Sequence, residues 1–458
     1  MLSRNFLFAS LLLAIAIPSL VFLTRRDAGI NGLFNHGDAF KPASFEHHQV
    51  WRIHVDEHGH VAQLWQLTED LLLDAWTPIR VGTVDIRVDP LQAQVVAASL
   101  HTLNMDYDVI VSNVQTLIDQ SSLSPPPSMS VDEHGQYVFG MMDKPDFFKK
   151  YHTLDGLIAW MKGLEDEYPD LVAPVNIGKS FEGRDITGIR ISLSEDEVVF
   201  RKVKKEFVFH GGIHAREWIS PATVTYMANE IITRARKDDR IKRILGVFDF
   251  TVIPVLNVDG YVYTHTNNRM WRKNRQPNPG SFCIGTDGNR NFDYEWNHGG
   301  SSSNPCSEAY MGSKPFSAPE PLAIANYVKT RAPNVLAYID FHSFSQLWMY
   351  PFGSDCNERP SNRKQLQEGG EAAAKAIKAI HGTSFAVGGI CQIIYQASGS
   401  STDYMYANGN ISYSYAAELR DTGRYGFLLP PKYIIPSGEE ILAGLLSLSE
   451  YIIKQERL

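Results

Sequence analysis

At 458 residues, with 44% hydrophobic and 21% charged side chains, the chain has the composition of a globular protein long enough for two domains. A formal net charge of -8, with no Lys/Arg stripe interleaved with aromatics, excludes nucleic acid as the expected partner. The charge is uneven: residues 27–143 hold 4 Lys+Arg against 16 Asp+Glu, whereas 144–458 hold 36 against 35. An acidic domain ahead of a neutral one is predicted, and acidity suits a cover over a cleft lined with positive groups.

The chain opens with "MLSRNFLFASLLLAIAIPSLVFLTRR", a charged start at Arg4 followed by an apolar run over 6–23. This reads as a secretory signal over 1–23, with Ala14 and Ala16 as small-residue cleavage signals. The run is nearly long enough to cross a bilayer, so an uncleaved anchor is the other reading; Pro18 favours cleavage.

From Gln49 a strand "VWRIHV" leads to a helical pattern "VAQLWQLTEDLLLDAW" and a strand "TVDIRVD". A second helix, "PLQAQVVAASLHTLN", then the strand "YDVIVSN" and the run "VQTLIDQ" complete a small α/β sandwich. A Ser/Pro-rich stretch, "SSLSPPPSMSVDEHGQ", follows as a linker over 121–142. After the amphipathic run "YHTLDGLIAWMKGLEDEYPDLV", apolar strands alternate with helices. The strands are "EFVFHGGI", "FDFTVIPVLN", "NVLAYIDFHSF" and "ISYSYAAEL"; the helices are "ATVTYMANEIITRAR" and "GEEILAGLLSLSEYIIKQ". Such alternation predicts a largely parallel sheet covered on both faces, with its active site at strand ends.

Polar residues do follow those strand ends. In "GGIHAREWISPAT", His214, Arg216 and Glu217 come straight after a strand, and Ser220 and Pro221 read as N-cap and first helical residue. A catalytic zinc site needs three protein ligands and one open position. His214 and Glu217 supply two, and His342 in "YIDFHSFSQ", at another strand end, is a candidate third. Singly, HxxE recurs by chance and a lone histidine is more often a core residue. No HExxH is present, which disfavours a zinc endopeptidase, and no CxxC, which disfavours a structural zinc cluster. Four cysteines, Cys283, Cys306, Cys356 and Cys391, suit an oxidising compartment and permit three pairings. The sequon "NIS" makes Asn410 a glycan site on an exposed loop.

Four further stretches, "NRMWRKNR", "IGTDGNRNFD", "IYQASGSSTDY" and "AAELRDTGRYGFLLP", complete a set in fixed order. With them the chain resembles the secreted zinc carboxypeptidases of the pancreatic A/B type, over everything after the signal. The resemblance implies a mixed, mostly parallel sheet with helices on both faces, in a catalytic domain over 143–458, preceded by an activation propeptide over 27–142. It implies that His214, Glu217 and His342 bind one zinc ion and that Asp287 buttresses His214. Glu418 matches the general base and Arg272 the residue that stabilises the oxyanion. Asn289, Arg290 and Tyr395 match the groups that hold a substrate's terminal carboxylate, and Arg216 one that lines the cleft further out. The implied disulfides are Cys283–Cys306 and Cys356–Cys391.

The residue at the base of the terminal pocket matches Thr402, which carries no charge, and Ala416 leaves apolar room beside it. An A-type preference for aromatic and aliphatic ends is therefore expected. The alternative is B-type release of Lys and Arg, should Asp403 occupy the base. A second alternative, an inactive binding protein, is disfavoured because His214, Glu217, His342 and Glu418 are all present. Phe344 stands where the family commonly has tyrosine, and "ANGNISY" is one residue longer than the family's loop. No Lys or Arg lies between Arg87 and Lys144, and Lys144 precedes Pro145. An activating protease of non-tryptic specificity, cutting within 121–142, is expected. The expected partners are peptide and protein C-termini and the chain's own propeptide as inhibitor, in a secreted, extracellular monomer.

Overall fold

The computed structural model describes residues 42–122, 130–131, 137–138, 144–194 and 203–458, all within one compact unit, Ala39–Leu458. The expected signal and most of the expected linker lie outside the described residues.

The N-terminal part runs β1 (Gln49–Val55), α1 (His58–Leu71), β2 (Asp74–Ala75), β3 (Gly82–Val88), α2 (Ala93–Thr102), β4 (Tyr107–Val111) and α3 (Val114–Ser122). Its four strands pair in the order β2-β3-β1-β4, with β1 antiparallel to both neighbours. Side chains alternate across the sheet. Trp51, Ile53 and Val55 of β1, with Val84, Ile86 and Val88 of β3, form a core with Leu64 of α1 and Val96 and Leu100 of α2. The intervening Val50, Arg52, Asp85 and Arg87 take the other face, toward the rest of the chain. The helix expected to reach Trp76 ends at Leu71. Leu72 adopts φ 50°, and its amide returns to the Thr68 carbonyl as a left-handed cap. The chain reverses there, so that Leu73 packs under α1 while Trp76 packs against Met270, Phe344 and Phe427. One continuous helix could not bury both.

Between the two parts lie a short ladder of β5 (Ser130–Val131) and β6 (Tyr137–Val138) and the turn α4 (Lys144–Phe147). The larger part then begins with α5 (Leu154–Glu167), which Thr153 caps by accepting from the Gly156 amide at 3.3 Å. That helix is shorter than the amphipathic run suggests, because Val172 already opens β7 (Val172–Lys179).

The remaining strands are β8 (Asp185–Ile191), β9 (Lys205–Gly211), β10 (Phe248–Ile253), β11 (Val335–His342), β12 (Leu347–Tyr350), β13 (Ala386–Gly389) and β14 (Tyr413–Glu418). They form an eight-stranded sheet in the order β13-β12-β14-β11-β9-β10-β8-β7. The four central strands β14, β11, β9 and β10 are parallel, and β8, β7 and the β12–β13 pair add antiparallel joins. The helices are α6 (Ile219–Arg234), α7 (Asp239–Leu245), α8 (Val258–Thr266), α9 (Pro319–Arg331), α10 (Arg363–His381), α11 (Ile390–Ile393), α12 (Ser401–Ala407) and α13 (Ile434–Glu456). They cover both faces. On β14, Tyr415 donates to the Leu366 carbonyl of α10, while its neighbour Ser414, pointing the other way, donates to the Thr402 carbonyl of α12. The mixed, mostly parallel sheet agrees with the expectation. Disulfides join Cys283 to Cys306 and Cys356 to Cys391.

Candidate active site

His214 and Glu217 lie in the turn from β9 into α6, at the carboxyl ends of the parallel strands. Gly211 and Gly212 let the turn close: a Cβ on Gly211 would stand 2.5 Å from the Ser220 oxygen, and Gly212 has φ +63°. Ser220 is not the N-cap expected of it; the helix starts at Ile219 after Trp218. Its hydroxyl accepts from the Gly212 amide and donates to the Phe341 carbonyl. That bond ties this turn to the strand end that carries His342.

Three donors converge there. Glu217 Oε1 is 2.8 Å from His214 Nδ1, Glu217 Oε2 is 3.1 Å from His342 Nδ1, and the two Nδ1 atoms are 3.1 Å apart. All three residues are buried. Ligands about 2.0–2.2 Å from a tetrahedral zinc stand about 3.3 Å from one another, and two imidazoles with one carboxylate make a known catalytic set. The residues present therefore fit zinc. Behind His214, its Nε2 lies 3.0 Å from Asp287 Oδ1, and Asp287 Oδ2 accepts from Arg272 Nη2 at 2.8 Å.

Glu418 ends β14 directly beside His342 in the parallel register. Its Oε2 is buried with no hydrogen-bond partner among the described residues, and this burial holds the carboxyl above the usual range. Arg290 Nη2 donates to the Tyr395 hydroxyl at 2.9 Å, and its Nε donates to the Gly300 carbonyl. Gly300 has to be glycine, since a Cβ there would lie 1.6 Å from the Gln396 carbonyl oxygen. Asn289 Nδ2 is 3.1 Å from His342 Nε2, which places the Asn289–Arg290 pair against the triad. Thr402, 1% exposed, is the second residue of α12. Met349, Ile390, Ile394 and Ala416 form an apolar cluster with Tyr395 packed against it, and Ser414, two residues before Ala416 on β14, donates to the Thr402 carbonyl; the Cys356–Cys391 bridge joins Cys391, next to Ile390, to the preceding loop. Asp403 is fully buried, and both its oxygens accept from the Gly353 and Ser354 amides. Asn410 is exposed, in the loop before β14.

Arg216 does not face an open cleft. Its Nη1 donates to Asp74 Oδ1 of β2 at 2.7 Å, and its guanidinium lies 4.2 Å from the Phe427 ring. Other N-terminal residues touch the rim. Arg80 donates to the Ile393 carbonyl at 2.7 Å, and Glu69 accepts from Ser302 and Ser307 at 2.9 Å each. The acidic part thus sits around the site, as its charge suggests.

Two residues near the site carry no mark in the sequence reading. Asp74 is hidden at what reads as a helix end. Asp340, whose Oδ2 is 3.0 Å from His342 Nε2, is a single acid in an apolar strand. The only signal for Asp340 is its spacing of two from His342, which puts both on one face of β11.

Known proteins bear on this arrangement. A model of the zinc carboxypeptidase family matches residues 157–444, and one of the carboxypeptidase activation peptide matches 51–121. Carboxypeptidase A2 of Mus musculus is 40% identical over 408 residues, 88% of this chain and 93% of that protein. Carboxypeptidase B of Bos taurus is 34% identical over 418 residues, 90% and 94% of the two chains. The crystal structure of the carboxypeptidase A from Helicoverpa armigera matches with TM-score 0.78 at 27% identity, covering 90% of this chain and 99% of that one. Family models on both parts, and relatives spanning nearly the whole chain, lead to one conclusion: the chain belongs to the zinc carboxypeptidase family, with an activation peptide ahead of the enzyme.

Proposed function

We propose that the chain is a secreted zymogen whose enzyme releases single C-terminal residues, aromatic or bulky aliphatic ones by preference. The observation that carries this reading is the seat formed by Arg290, Tyr395 and Asn289 beside the His214–Glu217–His342 triad. A guanidinium held by a tyrosine and flanked by an amide is suited to a carboxylate. Beside the triad, it selects the bond nearest the chain end, because an internal peptide would leave Arg290 unpaired.

Bound zinc supplies an acidified water and polarises the scissile carbonyl. Glu418 takes the attacking water's proton and returns it to the departing amine. Arg272, held on Asp287, presents positive charge where the carbonyl oxygen becomes negative. The terminal side chain enters beside Thr402, among Met349, Ile390, Ile394 and Ala416. The acid nearest in sequence, Asp403, is engaged by two backbone amides, so it offers a cationic end no free counter-charge. Among the described residues no helix is long and apolar enough to cross a membrane, and the two disulfides suit an oxidising compartment.

The exopeptidase reading is tested with a Phe-ended peptide and its C-terminal amide. Chelator-sensitive hydrolysis of the acid alone is expected; equal hydrolysis of both would remove Arg290 from its role.

A further inference from the structure

The two histidines of the triad have similar surroundings, a hydrogen bond to the carboxylate for His214 and a close approach to one for His342. Each turns Nδ1 toward Glu217 and Nε2 toward a buried carboxylate, Asp287 for His214 and Asp340 for His342, at 3.0 Å in both cases. A ring that gives its Nδ1 lone pair to a metal carries its proton on Nε2, and that proton needs an acceptor. We propose that Asp340 is a positioning residue for zinc, fixing the tautomer and orientation of His342. This rests on the reading of His214, Glu217 and His342 as the ligands.

The surroundings of Asp340 support the role. It is fully buried, and among the described residues its charge partners are His342 and His210, with no Lys or Arg in an ion pair with it. Asp287, by contrast, has Arg272. A buried carboxylate without a permanent cation is costly to keep, and a dication felt through the His342 ring would offset that cost. Its Oδ2 is held by a hydrogen bond, while Oδ1 makes none among the described residues. Ser401 donates to Oδ2 at 2.6 Å, and His210, its register neighbour on β9, places Nδ1 3.4 Å from Oδ1. The Tyr338 hydroxyl holds the far nitrogen of His210. Ser401 also opens α12, and its amide donates to Asn289 Oδ1 at 2.8 Å. One carboxylate therefore ties the metal ligand to the helix that carries Thr402. Asn289 Nδ2 also faces His342 Nε2, at 3.1 Å; a proton on that nitrogen, aimed at Asp340, would free the Asn289 amide to meet a substrate carboxylate.

The test compares full-length protein with Asp340→Asn, Asp340→Ala and His342→Ala, measuring zinc dissociation by chelator competition and the absorption spectrum of the cobalt-substituted forms. Thermal midpoints of the zinc-free forms report folding separately. Removing such supporting partners typically weakens metal binding about 10–100-fold. Asp340→Asn, which keeps size and an acceptor oxygen, is expected near the lower figure with an altered cobalt spectrum and an unchanged zinc-free midpoint. Asp340→Ala is expected near the upper. Zinc affinity and cobalt spectrum of Asp340→Asn matching the parent would overturn the proposal, provided His342→Ala loses zinc. Zinc retained by His342→Ala would instead overturn the ligand assignment beneath it.

Discussion

Thr402 and Asp403 are neighbours in sequence with different surroundings, and terminal-residue preference turns on that difference. Asp403 is pushed up to about 6 by burial, with the Gly353 and Ser354 amides donating to it. Thr402→Asp would add a carboxylate not so engaged. We expect release of C-terminal Phe to fall by about 10²-fold and release of Arg or Lys to rise by a similar factor, since an unmatched buried charge costs a few kcal/mol. Steady-state kcat/KM on matched peptides is the check. Arg290→Ala should raise the barrier behind kcat/KM for free-ended peptides by about 2–5 kcal/mol, the cost of leaving the substrate carboxylate unpaired, and leave amidated peptides unreactive. Glu418→Gln should cut kcat by about 10²–10⁴ with zinc content unchanged, measured by metal analysis alongside turnover. At this scale the sequence was informative where motifs cluster, as in His214, Arg216 and Glu217. It was silent on Asp340, because one acid in an apolar strand reveals nothing until its partner His342 is seen across 3.0 Å.

The elements at the edges carry a second consequence. Phe147 and Phe148, at the start of the larger part, are 7% and 6% exposed. Phe147 stacks on His152 at 3.7 Å and accepts at its carbonyl from His152 Nε2, while Phe148 packs edge-on against Tyr226 at 5.0 Å. Both belong to the main core, yet Lys149 and Lys150 follow them and Lys144 precedes a proline. A trypsin-like cut after either later lysine would detach this aromatic anchor. Phe148→Ala should cost about 3–5 kcal/mol, visible in denaturant unfolding. The natural N-terminus of the active enzyme should lie before Phe147; a fully active form starting at Lys150 or Tyr151 would refute this. Elements with strong periodicity were legible, including β9, β10, β11 and α13. The β7–β8 hairpin was not, since "VAPVNIGK" is an edge strand with a proline, a glycine and many exposed positions. Nor was β13, whose "AVGG" has half its residues glycine.

Across the whole molecule, the acidic part meets the enzyme through an apolar patch and a buried acid. Phe45, Val50, Trp76, Val114 and Ile118 pack on Met270, Phe344, Phe427 and Leu428, and Asp74 sits between Arg216 and Arg87. Burial alone would raise the Asp74 pKa; the two guanidiniums reverse that and hold it below the usual carboxylate range. Its contribution is therefore present above the unfolded value, about 4, and lost only as pH falls through the lowered one. Activity of the uncut chain should stay suppressed from neutral pH to about 5, and Asp74→Asn should raise it across that whole range. Uncut Asp74→Asn protein as silent as the parent would show that the apolar patch alone closes the site. The charge imbalance between 27–143 and the remainder foretold a cover. It could not say which acid reaches the cleft, because that depends on Leu72 ending α1.

We propose a zinc exopeptidase with an apolar terminal pocket. It is tested most directly by giving the proteolytically activated protein four peptides that differ only in a final Phe, Leu, Lys or Arg, with and without a zinc chelator. Chelator-sensitive release of Phe and Leu is expected at rates at least about tenfold above Lys and Arg, the scale of one well-fitted apolar contact. Faster release of Lys and Arg would contradict the pocket assigned to Thr402, and no release by zinc-loaded, activated protein would contradict exopeptidase activity itself.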